Sequence, residues 1–203
     1  QCLDSLINQT YKNIEIIIID DSSNDNSIDI LKKYQNKTSI VRKKSKKIGV
    51  GSYDQMESYR ECLKFSTGEI IVLCDSDDFF DITKIEKVVN KFEENENYLM
   101  IYDLPILKFE NKTKFIKKKS KFLKNFWSYF PPTSCISLRS KEFKDYFNLI
   151  NFKDFPDIWL DFRLGILSKF IFKNLIFIEE NLTYYRQTNT NISSNFKFLS
   201  KNW

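Results

Sequence analysis

Two apolar runs of strand length, each followed at once by aspartates, constrain the fold of this chain more than any other feature. Residues 14–19 contain five isoleucines, and Asp20 and Asp21 follow directly. Residues 69–74 form the second run, which ends at Asp75-Ser76-Asp77-Asp78. Short continuous apolar runs are typical of strands that are covered on both faces. The pattern therefore predicts an α/β domain in which acidic loops follow buried strands.

Helix-like patterns alternate with these runs through the first half of the chain. Residues 28–34 and 53–65 carry apolar side chains at helical spacing, and a short strand is expected between them at 39–41. Another helical stripe follows at residues 82–92. This alternation predicts a parallel, doubly wound sheet. Ligands of such sheets bind outside the carboxyl ends of the strands, where both acidic loops are expected.

The second half of the chain is less regular than the first. It mixes short apolar runs with amphipathic segments, which predicts a mixed portion rather than further strand–helix repeats. Strands are expected at 98–102, 133–138, 174–178 and 182–186, and helices at 141–149 and 157–170.

Composition excludes several classes of site. The four cysteines, Cys2, Cys62, Cys74 and Cys135, lie far apart without a C-x-x-C pair. We therefore expect reduced thiols in a cytosolic protein rather than a disulfide or zinc framework. The absence of histidine removes the commonest zinc ligand and the usual general base. A mild net charge of +5 could favour anionic substrates or a membrane surface, but by itself it establishes neither.

The acidic loops carry the candidate chemistry. Asp75, Asp77 and Asp78 place three carboxylates within four residues. Like charges this close disfavour ionisation unless a cation neutralises them, and ligands that are all oxygens favour Mg²⁺ or Mn²⁺. A solvated acidic turn is the alternative interpretation. Asp20 and Asp21 could accept hydrogen bonds from a base or a ribose, or could cap the following turn or helix.

Two ordered sequence blocks resemble the glycosyltransferases of family 2, which have the GT-A fold. Residues 5–27 (SLINQTYKNIEIIIIDDSSNDNS) resemble the opening of these enzymes, and residues 68–78 (GEIIVLCDSDD) resemble the strand that leads into their D-x-D motif. The run onward to residues 185–187 (YRQ) and Ser193 is also similar. The resemblance implies a Rossmann-like, mostly parallel central sheet flanked by helices, with a mixed C-terminal portion.

The same resemblance implies a single GT-A glycosyltransferase domain over residues 1–203. Residues 1–103 would form the nucleotide-sugar-binding half, and residues 104–203 would form the acceptor-binding half. The family's first strand has no counterpart in these residues, so we expect it upstream of Gln1.

Roles for individual residues follow from the resemblance. Asp21 would contact the nucleotide base, and Asp75 would contact the ribose or the metal. Asp77 would be the principal ligand of a divalent cation, Mn²⁺ or Mg²⁺, held against the diphosphate. The residues expected to bind the nucleotide sugar are Asp20, Asp21, Arg60, Asp75 and Ser76, and the expected metal ligands are Asp77 and Asp75.

The catalytic base of the family is an aspartate six residues before an arginine on a later helix. Asp157 and Arg163 match that spacing. Asp161 is the rival, one helical turn away on the same face. Asp157 could instead only cap the helix after Pro156.

Three positions depart from the family's pattern. Tyr59-Arg60 stands where Arg-Asn is usual, so Arg60 could face a phosphate or could be ordinary helix surface. Pro156 replaces the glutamate that commonly precedes the catalytic aspartate. Thr188 replaces a histidine that often follows the Tyr-Arg pair, so a histidine cannot assist the metal there.

The resemblance implies a metal-dependent hexosyltransferase that inverts the anomeric centre in a single displacement. We expect a UDP-sugar donor and a glycan or lipid-linked acceptor, in cell-surface polysaccharide biosynthesis. The expected location is the cytoplasm, at the inner face of the membrane if the acceptor is lipid-linked, with no nucleic-acid partner. A nucleotidyltransferase and a non-catalytic sugar-nucleotide-binding module are the alternatives.

Two basic segments allow more than one interpretation. Residues 112–124 contain seven lysines interleaved with apolar residues, which is compatible with an anionic membrane surface or with a solvated loop or hairpin. Residues 42–47 could attract a diphosphate or nucleic acid. Their place between a strand and a helix favours a solvated loop on the substrate side.

Overall fold

A computed structural model describes residues 1–43, 49–117, 130–149, 153–171 and 175–188. Its helices are α1 (Cys2–Ile7), α2 (Ser27–Lys32), α3 (Gly51–Leu63), α4 (Lys84–Glu93), α5 (Ser140–Leu149) and α6 (Leu160–Ile166). A 3₁₀ turn spans Thr133–Cys135, and α6 continues as a π-helical segment over Leu167–Ile171. The strands are β1 (Ile17–Asp20), β2 (Ser39–Arg42), β3 (Ile70–Val72), β4 (Phe79–Phe80), β5 (Met100–Lys108), β6 (Thr113–Phe115), β7 (Ile136–Arg139) and β8 (Leu175–Arg186).

The strands of the described ranges form one large mixed sheet and one small parallel pair. The large sheet has the order β3-β7-β5-β8-β4, with β6 added to β5, and β1 pairs with β2 separately. Parallel pairing is found for β1 with β2 and for β5 with β8, whereas the other pairs are antiparallel. The α/β fold class is confirmed. The expectation of a mostly parallel sheet is wrong in detail, because β7 enters antiparallel between β3 and β5.

Local patterns located most elements of the first half to within a few residues. The strand expected at 14–19 is shorter and later, at Ile17–Asp20, while the short strand at 39–41 and the helix at 53–65 are confirmed. In the second half, the strand expected at 98–102 continues to Lys108. It passes through Pro105 because the register shifts there, and proline is tolerated at such irregularities. A strand upstream of Gln1 stays a prediction.

Alternate residues of β5 face two separate apolar cores. Met100 and Tyr102 face the side covered by α3, α5 and α6, and Ile101 faces α4. This is the two-residue period of a strand that is buried on both faces. The first core includes Met56, Leu138, Phe143, Leu160 and Leu164, and the second includes Val88, Phe92, Ile178 and Leu182.

Helix α6 begins later than the sequence predicts. The helix expected from residue 157 starts at Leu160, with Trp159 in an extended conformation before it. Arg163 donates side-chain hydrogen bonds to the carbonyls of Phe155 (2.5 Å) and Ile158 (2.9 Å), so a side chain holds this turn in place of helical backbone bonds. Asp157 lies in that turn, and the expectation that Asp157 and Asp161 share one helix face is therefore wrong.

Among the described helices, none combines the length and the apolar character that a membrane span requires.

Candidate active site

Helix α3 joins the two acidic loops into one site. The buried Lys43 forms an ion pair with the half-buried Asp21, with 3.2 Å between Nζ and Oδ1, and its Nζ also lies 3.4 Å from the carbonyl of Asp54. Gln55, the next residue of α3, donates a hydrogen bond of 2.9 Å to Asp75 Oδ1. The first turns of α3 are therefore linked to the loop after β1 through Lys43 and contact the loop after β3 directly.

The carboxylate of Asp75 is held by two residues of α3. Gln55 and Tyr59 both donate to Oδ1 over 2.9 Å, and they lie on the same helix face because they are four residues apart. The pKa of Asp75 is raised to about 6, chiefly by burial and also by the charge of Asp77, while the hydrogen bonds from Tyr59 and Gln55 oppose these effects. Asp75 is therefore oriented by the fold but stays half-buried rather than sealed.

Asp77 and Asp78 point in different directions. The Asp77 side chain is exposed, and its backbone carbonyl accepts a hydrogen bond of 2.5 Å from Arg186 Nε. Asp78 is fully buried and accepts the backbone N–H of Arg186 on Oδ1 at 2.9 Å. Burial, followed by the charge of Asp75, raises the pKa of Asp78 to about 8. Asp78 is therefore largely neutral at pH 7, and its bond to Arg186 fixes the end of β8 against the loop.

The donor set of this loop fits a hard divalent cation shared with a ligand. Within the described ranges, no group of three or more acidic or cysteine side chains forms a complete metal site. Mg²⁺ and Mn²⁺ do not need one, since they commonly bind one or two carboxylates and take their remaining ligands from phosphates and water. Asp77 offers an exposed carboxylate and Asp75 a half-buried one. These oxygens fit such a cation, whereas they offer nothing that would select zinc.

Asp20 is turned inward, unlike Asp21. Its side chain is buried, Oδ1 accepts the backbone N–H of Ser23 at 3.1 Å, and Oδ2 lies 3.5 Å from Arg42 Nε. These contacts hold a tight turn in which Ser22 adopts a positive φ of 60°. The structure therefore places Asp20 as a support of the loop, which is one of the two interpretations that the sequence allowed.

Arg60 and Ser76 lie at the periphery. Arg60 pairs with Glu57 at 2.5 Å and lines a groove between α3 and α5 together with Lys64 and Lys144. It follows Tyr59 and so projects about 100° further round the helix, away from the Asp75 contact. Ser76 is exposed in the turn after β3. The structure thus connects Asp21 and Asp75 through Lys43 and α3 and leaves Asp77 exposed beside Asp75, whereas Arg60 projects away from the Asp75 contact.

The two candidate bases occupy different environments. Asp157 is exposed in the turn before α6, and the Ser52 hydroxyl of α3 donates to the neighbouring carbonyl of Pro156. Asp161 lies in the first turn of α6 and is half-buried. Burial raises the pKa of Asp161 to about 7, the backbone N–H of Phe162 opposes this shift, and the charge of Asp75 adds to it. Asp161 therefore shares the electrostatic environment of the acidic loop.

Some site residues had no distinct signal in the sequence. Gln55 and Tyr59 form an i, i+4 polar pair on a helix, which could have been read as a shared face. Lys43 is buried beside Asp21, although it belongs to a segment that suggested a solvated loop. Ser134 accepts the backbone N–H of Asp75 across 59 residues of sequence, and only the tertiary structure reveals that contact.

Parts of the expected site lie outside the described residues. These are residues 44–47 of the first basic segment, residues 118–124 of the second, and Ser193.

Comparison with known proteins gives one family over most of the chain. Residues 1–160 match the family described as Glycosyl transferase family 2. The chain is 27% identical over 198 residues to an uncharacterized glycosyltransferase of Nostoc sp., covering 92% of this chain and 59% of that protein. It is 39% identical over 101 residues to the Escherichia coli UDP-Glc:alpha-D-GlcNAc-diphosphoundecaprenol beta-1,3-glucosyltransferase WfaP, covering 49% of this chain and 38% of WfaP. The chain spans less than two thirds of either relative.

Solved structures share the fold at low sequence identity. Residues 1–349 of Staphylococcus aureus TarS in complex with UDP-GlcNAc superpose with a TM-score of 0.66 at 18% identity, covering 97% of this chain and 56% of that one. The mannosyltransferase PcManGT from Pyrobaculum calidifontis, in complex with GDP-Man and Mn²⁺, gives a TM-score of 0.65 at 12% identity, covering 95% and 54%. At these identities the likeness establishes the fold alone, and it confirms the expected GT-A architecture.

Proposed function

Because the chain belongs to glycosyl transferase family 2, we propose that it transfers a sugar from a nucleoside-diphosphate donor to an acceptor hydroxyl. One observation carries the proposal. Helix α3 is linked to Asp21 through Lys43 and contacts Asp75 directly, so it connects the two acidic loops, and Asp77 lies exposed in the second of them. A donor with a base, a ribose and a diphosphate matches such a series of groups.

We place the nucleoside along the N-terminal turns of α3. Asp21 is half-buried with its carboxylate oriented by Lys43, which suits an acceptor for a base N–H. Asp75 is fixed through Oδ1 by α3, and its Oδ2, which neither Gln55 nor Tyr59 contacts, would accept from a ribose hydroxyl or bind the cation. Uridine diphosphate is the donor nucleotide we favour, supported by TarS, whose structure contains UDP-GlcNAc.

We propose that Asp77, with Asp75, holds a Mn²⁺ or Mg²⁺ ion. When bound, such a cation neutralises the charge that develops on the departing diphosphate. Arg186 lies beside this position, because its Nε donates to the Asp77 carbonyl. The guanidinium therefore adds positive charge where the leaving group would sit, and its fixed position requires no reorganisation.

We favour Asp161 over Asp157 as the catalytic base. A pKa near 7 leaves a carboxyl group half ionised at neutral pH and basic enough to accept a proton from an attacking hydroxyl. Asp161 also interacts electrostatically with Asp75, whereas Asp157 is exposed in the preceding turn. The acceptor oxygen would attack the anomeric carbon as Asp161 removes its proton, which inverts the configuration without an enzyme nucleophile.

The acceptor that we propose is a glycan or a lipid-linked sugar of a cell-surface polysaccharide. The name of WfaP describes an acceptor of the second kind for that enzyme. In this chain, Phe155 and Trp159 flank Asp157 and are 75% and 36% exposed, which provides aromatic surface for a sugar ring or a lipid. We place this activity in the cytoplasm, at the membrane face if the acceptor is lipid-linked.

Nucleotide sugars tested with the intact protein would decide between the candidate activities. Thermal stability should rise with UDP-sugars only when Mn²⁺ or Mg²⁺ is present, because binding to the native state alone stabilises it. Transfer should release UDP and give a product of inverted configuration by NMR. Release of pyrophosphate would instead indicate a nucleotidyltransferase, and binding without turnover would indicate a binding module. Stabilisation by no nucleotide sugar would contradict the proposal.

A further inference from the structure

A buried ion pair between a lysine and an aspartate is linked through Ser134 to the acidic loop after β3, residues 75–78. Lys84, the first residue of α4, and Asp103, in the middle of β5, form an ion pair of 2.9 Å in which both side chains are 0% exposed. Neither residue belongs to the donor-binding set described above. Charged side chains are rarely buried this completely unless each polar atom has a partner, so the surroundings of the pair require an explanation.

The Lys84 ammonium makes two hydrogen bonds besides its ion pair with Asp103. Nζ donates to the carbonyl of Ser134 and to Thr183 Oγ1, both at 2.6 Å. The Thr183 hydroxyl donates in turn to Asp103 Oδ2 at 2.6 Å. The ring of Phe80 lies under the ammonium, 3.8 Å from its centroid to Nζ. The network thus links α4, β5, β8 and the 3₁₀ turn of Thr133–Cys135.

The turn at Ser134 connects this network to the acidic loop. Lys84 holds the Ser134 carbonyl, while the Ser134 hydroxyl accepts the backbone N–H of Asp75 at 2.9 Å. Asp75 is therefore fixed from two sides: Gln55 and Tyr59 orient its carboxylate, and Ser134 holds its backbone. A displacement of the turn would move the backbone of Asp75 and Asp77 together.

Stability alone does not account for the network. Replacing a buried ion pair by apolar side chains of similar volume is often neutral or stabilising, because both charges lose their hydration on folding. Removing one partner is costly, since the other is left charged and unpaired. We propose that Lys84, Asp103 and Thr183 are positioning residues, which act through Ser134 to hold the acidic loop in its donor-binding geometry. The expected effect on donor binding and catalysis rests on the proposed function, whereas the expected effect on the conformation of the acidic loop does not.

The serine provides the sharpest test. Ser134→Ala removes the acceptor for the Asp75 N–H, and Ser137→Ala is the matched control, because Ser137 is equally buried on β7 but its hydroxyl has no hydrogen-bond partner among the described residues. Hydrogen–deuterium exchange of residues 75–78 should become faster in Ser134→Ala only. The KM for the donor should rise about tenfold with a smaller change in kcat, as expected for the loss of roughly one hydrogen bond to the loop.

The double variant Lys84→Met/Asp103→Leu tests the ion pair without leaving an unpaired charge. We expect a folded protein with a cooperative unfolding transition, faster exchange at residues 75–78, and weaker binding of UDP with Mn²⁺. Exchange and UDP binding at wild-type values in both Ser134→Ala and the folded double variant would overturn the inference. Hydrogen exchange does not depend on turnover, so the positioning role would be measurable even if the transferase proposal failed.

Discussion

The acidic loops after β1 and β3 begin from the same sequence pattern and are built in opposite ways. The loop after β1 is closed by Ser23, which donates to Asp20, and by residues at and just after the end of the next strand, since Arg42 forms an ion pair with Asp20 and Lys43 forms one with Asp21. The loop after β3 takes its contacts from far along the chain. Asp75 is held by residues of α3 and by Ser134, and Asp78 accepts a hydrogen bond from Arg186, 108 residues away.

This difference shows that the conformation of the loop after β3, and not that of the loop after β1, depends on contacts with distant parts of the chain. The first loop can keep its shape as a local unit, so its variants should mainly affect stability or base recognition. The second loop has its geometry only when α3, the turn at Ser134 and the end of β8 are all in place. Its variants should therefore have the larger effects on catalysis, and four predictions test that ordering.

The largest effect is expected at Asp77. Asp77→Asn removes the exposed carboxylate proposed as principal metal ligand, and kcat/KM should fall about 10³-fold as charge stabilisation is lost. Asp78→Asn is the matched control, because burial already keeps Asp78 largely neutral and an amide oxygen can still accept the Arg186 N–H. Its kcat/KM should stay within roughly threefold of wild type. Equal losses in both variants would contradict the assignment.

The second largest effect is expected at Asp161, the proposed catalytic base. Asp161→Asn should lower kcat about 10²-fold or more, whereas Asp157→Asn should change it far less. In the wild-type enzyme, kcat/KM should rise with pH through about 7, because only the ionised Asp161 accepts a proton.

The carboxyl group of Asp161 also affects the free energy of unfolding. Its contribution to stability falls as pH rises, whereas kcat/KM rises. Its folded-state pKa, about 7, is above the ordinary 3.8, so the fold favours the neutral form. That contribution to the free energy of unfolding is complete below pH 3.8 and is lost as pH rises to about 7. Urea unfolding of wild type and Asp161→Asn across this range would measure it. A normal pH–rate profile in Asp161→Asn, with loss of activity in Asp157→Asn, would reverse the assignment.

A smaller effect is expected when Asp75 loses one of its donors. Tyr59→Phe should weaken UDP binding roughly tenfold, since a hydrogen bond to a charged group is removed. The pKa of Asp75 should also rise, because the Tyr59 hydroxyl lowers it, so the loss should be greatest at acidic pH. Tyr34→Phe removes a similar bond to the exposed Asp4 and should leave binding unchanged. Isothermal titration calorimetry at several pH values would detect the difference.

The smallest effect on catalysis is expected in the first loop. Asp20→Ala should reduce the free energy of unfolding by about 1–2 kcal/mol, because the Ser23 N–H and the turn lose their acceptor. The KM for the donor should change by less than about threefold. Asp21→Ala should show the reverse, with weaker donor binding and little loss of stability. Chemical denaturation and donor titration on both variants would reveal whether the two aspartates divide these roles.

The acidic loops, the α/β class and the family were accessible from the sequence because each depends on local pattern. Five isoleucines before Asp20, and an apolar run before Asp75, identify buried strands that end in carboxylates whatever the rest of the chain does. The helical spacing of residues 53–65 likewise locates α3 to within two residues at each end.

The tertiary structure decided which carboxylates are available. Asp20 turns inward through its contact with Arg42 on the neighbouring strand β2, and Asp78 through its contact with Arg186, 108 residues away, whereas Asp21 stays half-buried and Asp77 exposed. The start of α6, which separates Asp157 from Asp161, is set by Arg163 hydrogen-bonding to backbone carbonyls and not by helix propensity. Local patterns report which side chains a segment presents, whereas their protonation and direction depend on burial and partners that only the folded chain supplies.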